Sequence, residues 1–284
     1  MNIFEYQGRA VAFDRCGSGT PMVFLHNGGS QRHIWDDQVA ALRRDHEVFA
    51  LDLPGYGESD QPADGHRLAD YVRMFGAFLD AYRLSDVVLV GNCVGSATAL
   101  SYAMDHPDRV RALVLINPLT WDTVSSGKSA GLAREAARLP LGALARRLAL
   151  PGRAVSRIVG SQLGSRGRNQ SLQNSPRLRA HWSDRGRLNS VYELVQDLPT
   201  YATLDRFDPP ADFPPICTIW GKQNLVLSAD AGARLNRVLR PRTAIELPDC
   251  GHLPMVEDPD RVTSIITEFL ATTSRSTAPT VGGS

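Results

Sequence analysis

The sequence predicts an α/β fold built on a mainly parallel sheet, and three observations carry that prediction. The apolar runs Met22-Val23-Phe24-Leu25 and Val87-Val88-Leu89-Val90 are continuous, not alternating, as strands covered on both faces require. Between such runs, apolar residues recur at helical spacing, giving the strand–helix rhythm of parallel strands joined by crossover helices. Gly91-Asn92-Cys93-Val94-Gly95 follows one run directly, a small-x-nucleophile-x-small pattern that marks a sharp strand-to-helix turn.

The elements follow in order. Residues 3–6 and 11–13 are expected as short antiparallel strands turning at Gln7-Gly8, and Gly17-Ser18-Gly19-Thr20 is a turn into the strand at 22–25. Ile34, Trp35, Val39 and Leu42 fall near helical spacing, and a strand at 48–51 ends in Asp52-Leu53-Pro54-Gly55-Tyr56-Gly57. Leu68, Val72, Phe75, Phe78 and Leu79 form one face of a helix before the strand at 87–90. Ala97, Leu100, Ala103 and Met104 mark the next helix, which His106-Pro107 should end, and 111–116 gives another strand.

The rhythm then stops between about 119 and 208. This stretch is arginine-rich, with amphipathic fragments over 132–150, a Gly/Ser/Arg/Gln-rich patch over 160–175, and Leu188, Val191, Leu194 and Val195 at helical spacing. It reads as a mostly helical insertion. The sheet resumes at 216–220, followed by a helix over 229–239, a strand at 243–247 and a helix near 262–270. Short polar residues over 271–284 predict a disordered tail. The expected division is therefore a core of 1–118 and 209–270, a cap of 119–208, and the tail.

Composition narrows the function classes. In 284 residues, 31 Lys and Arg face 30 Asp and Glu, a formal charge of +1 that offers no field for nucleic acid or an anionic membrane. Cys16, Cys93, Cys217 and Cys250 lack metal-ligand spacing and do not suggest a disulfide framework. The histidines form no close ligand pair, and Gly55 and Gly57 lack the context of a dinucleotide fingerprint, so neither metal nor cofactor is expected. The start of the chain has no basic-then-apolar leader, and no run approaches the roughly 18 apolar residues of a membrane span. A cytoplasmic protein is expected; nothing speaks to its oligomeric state.

Cys93 at the apex of the turn is the candidate nucleophile. A thiol near pKa 8.5 falls toward neutrality at a helix amino terminus and beside an imidazolium. Attack by sulfur on an acyl group would give a thioester intermediate, open to water, alcohols or amines.

Five segments together resemble the α/β-hydrolase superfamily, in the branch with a helical cap. They are Leu25-His26-Asn27-Gly28-Gly29, Asp52 to Ser59, the turn at Gly91 to Gly95, Trp220-Gly221-Lys222-Gln223-Asn224, and Asp249-Cys250-Gly251-His252-Leu253-Pro254. The resemblance covers the whole chain except the tail. It implies a mostly parallel eight-stranded sheet flanked by helices, with the cap inserted after the sixth strand. Two departures stand out: cysteine replaces the usual serine, and Asn224 stands where a triad aspartate is common. Asn92-Cys93-Val94-Gly95 is also similar to the Asn-Ser-Met-Gly turn of carbon–carbon bond hydrolases.

The same resemblance implies the rest of the site. His252 would be the base for Cys93. Either Asp122, just past a strand, or Asn224, through its amide oxygen, would orient His252. The backbone N–H groups of Asn27 and Val94 would form the oxyanion hole, with His26 a structural hydrogen-bonder. Gly28, Asn92, Trp121, His181, Trp182 and Tyr192 are candidate pocket residues.

The expected function is acyl transfer from a small-molecule thioester or activated ester, such as a natural-product intermediate, ending in hydrolysis. Transfer or cyclisation onto an organic nucleophile, carbon–carbon bond hydrolysis, and a non-covalent binding or isomerising role are the alternatives. An acidic carrier protein could deliver the acyl group to Arg146, Arg147 and Arg153 on the cap.

Overall fold

The computed structural model describes residues 1–62, 65–131, 135, 138, 145, 147, 149–184 and 186–273. Most of the amphipathic stretch over 132–150, Arg146, and the tail from 274 lie outside the described residues. Strands β1 (Asn2–Tyr6) and β2 (Arg9–Gly17) form a hairpin whose turn residues Gln7 and Gly8 have φ of 51° and 69°. Two positive φ angles in succession match the right-handed twist of the flanking strands. β2 runs past 13 to Gly17 because it pairs antiparallel with β4 (His46–Leu51), Phe13 opposite Leu51 and Gly17 opposite Glu47.

The other strands are β3 (Thr20–Leu25), β5 (Val87–Cys93), β6 (Val110–Pro118), β7 (Ile216–Gly221) and β8 (Thr243–Leu247). The sheet has eight strands in the order β1-β2-β4-β3-β5-β6-β7-β8, parallel from β4 onward.

The continuous apolar runs are explained by two cores, one on each face. Strand residues alternate between them: Val23, Leu25, Leu89 and Leu113 point to one side, Met22, Phe24, Val88 and Val114 to the other. The first side packs under α2 (Leu68–Ala81), with Tyr71, Met74, Phe75 and Phe78, and under α3 (Val94–Asp105). The second receives Trp35 and Leu42 from the segment around α1 (Asp36–Leu42) and, from the last helix, Val262, Ile265, Ile266 and Phe269.

Helices fill the interval between β6 and β7. They include α4 (Trp121–Ser125), α5 (Gly152–Gln162), α6 (Ser165–Asn169), α7 (Pro176–Ser183) and α8 (Leu188–Asp197). These helices are the cap. After β7 come α9 (Ala229–Leu239), α10 (Pro254–Glu257) and α11 (Pro259–Thr273), the last helix continuing beyond the expected end of the core at 270. Among the described residues no helix is long and apolar enough to cross a membrane.

Candidate active site

β5 ends at Cys93, which has φ 54° and ψ −114°, a conformation that costs an L-residue energy and persists only where its surroundings enforce it. Two glycines make the turn possible. A Cβ on Gly91 would lie 2.4 Å from the Gly95 backbone, and one on Gly95 only 2.2 Å from the Leu25 carbonyl oxygen. The Ser96 hydroxyl completes the turn, its Oγ 2.6 Å from the Gly91 carbonyl and 3.0 Å from that of Ile116. The sulfur is thus held by backbone geometry, and the residue is only 6% exposed.

The backbone N–H groups facing that sulfur belong to Val94 and Gly28. Gly28 takes the place expected of Asn27, one residue along. The Asn27 side chain is tied within its own loop. The Ser30 hydroxyl donates to its Oδ1 at 2.6 Å, and its own Nδ2 donates to the Gly28 carbonyl at 2.9 Å. His26 anchors the same loop, its Nδ1 2.8 Å from the Asn27 carbonyl and its Nε2 accepting the Leu53 N–H at 2.9 Å. Burial pushes the Cys93 thiol up to about 12, against the opposing pull of the two N–H groups.

His252 sits between β8 and α10, with its backbone fixed on both sides. Its N–H donates to the Gln162 carbonyl at 2.6 Å, and its carbonyl accepts from Asn92 Nδ2 and Asn117 Nδ2, both at 3.2 Å. Asn92 therefore braces the histidine loop from behind. Glu257, fully buried, has Oε1 on the N–H groups of Gly251 (2.8 Å) and Leu253 (3.4 Å), and Oε2 on those of Gly164 (2.7 Å) and Gly167 (3.3 Å). Sequence reasoning missed Glu257, because one acid on a short helix looks like any solvated charge.

The ring's hydrogen-bond partner is Asn224, whose Nδ2 lies 3.1 Å from His252 Nδ1. The amide oxygen expected in that role is elsewhere: Asn224 Oδ1 accepts the N–H groups of Val226 (2.9 Å) and Leu227 (3.0 Å). Burial lowers the imidazole to about 4, and among the described residues no carboxylate acts against it. Among the described residues no hydrogen bond joins the ring to Cys93. Burial thus favours the neutral form of both the thiol and the imidazole.

Asp122 is not the orienting group in this structure. Its carboxylate takes two hydrogen bonds from Arg234, each 2.9 Å, and one from Ser126 at 3.1 Å, at the surface. Trp121 beside it is 37% exposed.

Other cap residues do close over the turn. The Trp182 ring lies 2.2 Å from where a Gly29 Cβ would be, and a Leu194 methyl lies 2.8 Å from the same point on Gly28. His181 stacks on Tyr56 with ring centroids 4.8 Å apart. Tyr192 is half-buried on α8. Tyr201, unmarked in the sequence, is fully buried, its hydroxyl without a hydrogen-bond partner among the described residues, and close enough for a charge on Cys93 to raise its phenol further.

This arrangement has a family. The α/β-hydrolase-fold family model matches residues 20–259, and the chain belongs to that family. An uncharacterised protein of Mycobacterium tuberculosis is 28% identical over 283 residues, covering 94% of this chain and 80% of the relative. Among solved structures, an α/β-hydrolase-fold protein from Burkholderia ambifaria superposes with a TM-score of 0.78 at 24% identity, covering 94% of this chain and 97% of that one. A thermophilic esterase from Thermogutta terrifontis gives 0.77 at 21% identity, covering 95% and 97%. These likenesses establish the fold.

Proposed function

We propose that the protein is a hydrolase of a small-molecule thioester or activated ester that works through an acyl group carried on Cys93. The observation that carries this reading is the sulfur on a strained turn facing the N–H groups of Gly28 and Val94. In the proposed reaction the Cys93 sulfur bonds to the substrate carbonyl carbon, and charge on the carbonyl oxygen develops beside those two donors. Collapse breaks the bond to the leaving group, which departs with a proton, and water then cleaves the thioester to free acid and thiol. The thiol proton leaves as the carbon–sulfur bond forms, since the neutral resting pair offers no preformed thiolate. His252 Nε2 is the group to receive it. The ester reading is also supported by likeness to an esterase, at the level of fold.

One observation favours a second reading. Burial holds the thiol up to about 12 and the imidazole down to about 4, which suits a pocket that binds without covalent chemistry. The test is incubation with a p-nitrophenyl acyl ester and an acyl thioester, followed by intact mass. The proposed reading expects one acyl mass on Cys93, absent in Cys93→Ala, with release to water exceeding release to added amine or alcohol. Turnover retained in Cys93→Ala would reject the covalent mechanism. Release wholly to the organic acceptor would make the protein an acyltransferase. Carrier delivery to Arg147 and Arg153 and a cytoplasmic setting remain part of the proposal.

A further inference from the structure

We infer that Asn224 holds His252 as its Nε2–H tautomer, so that the ring rests as a hydrogen-bond donor and the asparagine acts as a brake on Cys93. The inference deepens the acyl-transfer reading, which supplies the proton that the ring would have to accept.

The direction of the amide is set by its oxygen. Asn224 Oδ1 accepts two backbone N–H groups, from Val226 at 2.9 Å and Leu227 at 3.0 Å. Turning the amide over would set its NH2 against both donors in a site where Asn224 is only 7% exposed. Its Nδ2 therefore faces the ring, 3.1 Å from His252 Nδ1. An amide NH2 donates and does not accept, so Nδ1 must present its lone pair and the ring proton resides on Nε2.

The ring cannot escape by moving with its backbone. Gln162, Asn92 and Asn117 hold the His252 N–H and carbonyl. Nor is imidazolium an easy alternative, because a proton on Nδ1 would point at the NH2 of Asn224. Accepting the thiol proton at Nε2 needs the other tautomer, and reaching it breaks the bonds to Val226 and Leu227. An aspartate has no such conflict: one oxygen could keep the two backbone donors while the other accepts Nδ1–H. Where asparagine replaces aspartate beneath a catalytic histidine with geometry intact, the wrong tautomer costs about 10⁴-fold in rate. Asn224→Asp is the reverse of that substitution.

The test uses the full chain at pH 7.5. Long-range ¹H–¹⁵N spectra of ¹⁵N-histidine protein, with His252 assigned by its loss in His252→Gln, report which ring nitrogen carries the proton. The inference expects an unprotonated Nδ1 in the parent and a protonated Nδ1 in Asn224→Asp. Alkylation of Cys93 by iodoacetamide, followed by peptide mass mapping, should be faster in Asn224→Asp by about 100-fold or more. A protonated Nδ1 in the parent overturns the inference even if an acyl-enzyme forms. So does an Asn224→Asp variant with the parent tautomer and the parent alkylation rate. An Nε2–H parent that forms no acyl-enzyme with any ester or thioester leaves the inference standing and removes the acyl-transfer reading.

Discussion

Glu257→Gln should destabilise the protein by about 2–4 kcal/mol, although it changes one atom and removes a buried charge. Both carboxylate oxygens accept: Oε1 from Gly251 and Leu253, Oε2 from Gly164 and Gly167. A glutamine keeps only one of these oxygens. Its NH2 then faces either the Gly164 and Gly167 donors or the Gly251 and Leu253 donors, in a site with no solvent access. Each buried donor left unsatisfied costs about 1–3 kcal/mol. Two such donors would cost about 2–6 kcal/mol together, but in each pair one bond is short, at 2.7 or 2.8 Å, and the other is longer, at 3.3 or 3.4 Å, so the sum falls in the lower part of that range. Relief of the carboxylate's own burial, which pushes its pKa up, offsets a part. Urea unfolding followed by tryptophan fluorescence at pH 7.5 measures the loss. Hydrogen exchange at the four amides then tells which pair was abandoned. A change below about 0.5 kcal/mol with all four amides still protected would refute the reasoning.

Gly95→Ala should cost about 3 kcal/mol or more, because the new methyl meets β3 backbone at 2.2 Å and strand backbone cannot step aside. Gly160→Ala on α5, where the nearest atom is 3.6 Å away, should instead be neutral or stabilising by up to about 1 kcal/mol, and urea midpoints compare the two. Asp122→Asn removes a surface pair with Arg234, so stability should change by less than about 1 kcal/mol and Cys93 acylation should be unaffected; a tenfold slower acylation would return Asp122 to the site. Acidification should weaken the fold. Burial holds His252 down to about 4 and His181 down to about 3, whereas both bind protons near 6.5 when unfolded. Their contribution is therefore intact above about 6.5 and is lost as pH falls toward 4. Glu257 and Asp205, both raised by burial, work in the opposite sense, but the upward shift of a carboxylate acts mostly at lower pH. A urea midpoint that stays level or rises from pH 7 to pH 5 would contradict this.

The parts of the fold that depend on local pattern were legible in the sequence. Gln7-Gly8 announced the hairpin, because consecutive positive φ angles favour such residues, and the apolar runs announced the parallel strands. The turn at Cys93 was legible because Gly91 and Gly95 answer to close backbone approach, a requirement only glycine meets. What depended on direction was not legible. Asn27 and Gly28 are neighbours, and which of their amides faces the sulfur is a matter of loop direction that residue type does not carry. Asn224 stood out in the sequence, but that its NH2 and not its oxygen meets His252 follows from the amides of Val226 and Leu227. Asp122 fitted the expected spacing, yet Arg234, distant in sequence, captures it.

The attachment of the histidine loop to the cap has a mechanical consequence. The Gln162 carbonyl holds the His252 amide, and the Glu257 carboxylate clasps Gly164 and Gly167 with one oxygen while gripping Gly251 and Leu253 with the other. That end of the cap and the loop carrying the imidazole are therefore one hydrogen-bonded unit, so a substitution that loosens residues 162–167 loosens the seat of His252 as well. The other side of the cap is tied to the core as well: on α8 the Ser190 hydroxyl donates to the Gly55 carbonyl and Asp197 accepts the Leu68 N–H, each at 2.7 Å, while the Leu194 methyl rests on Gly28.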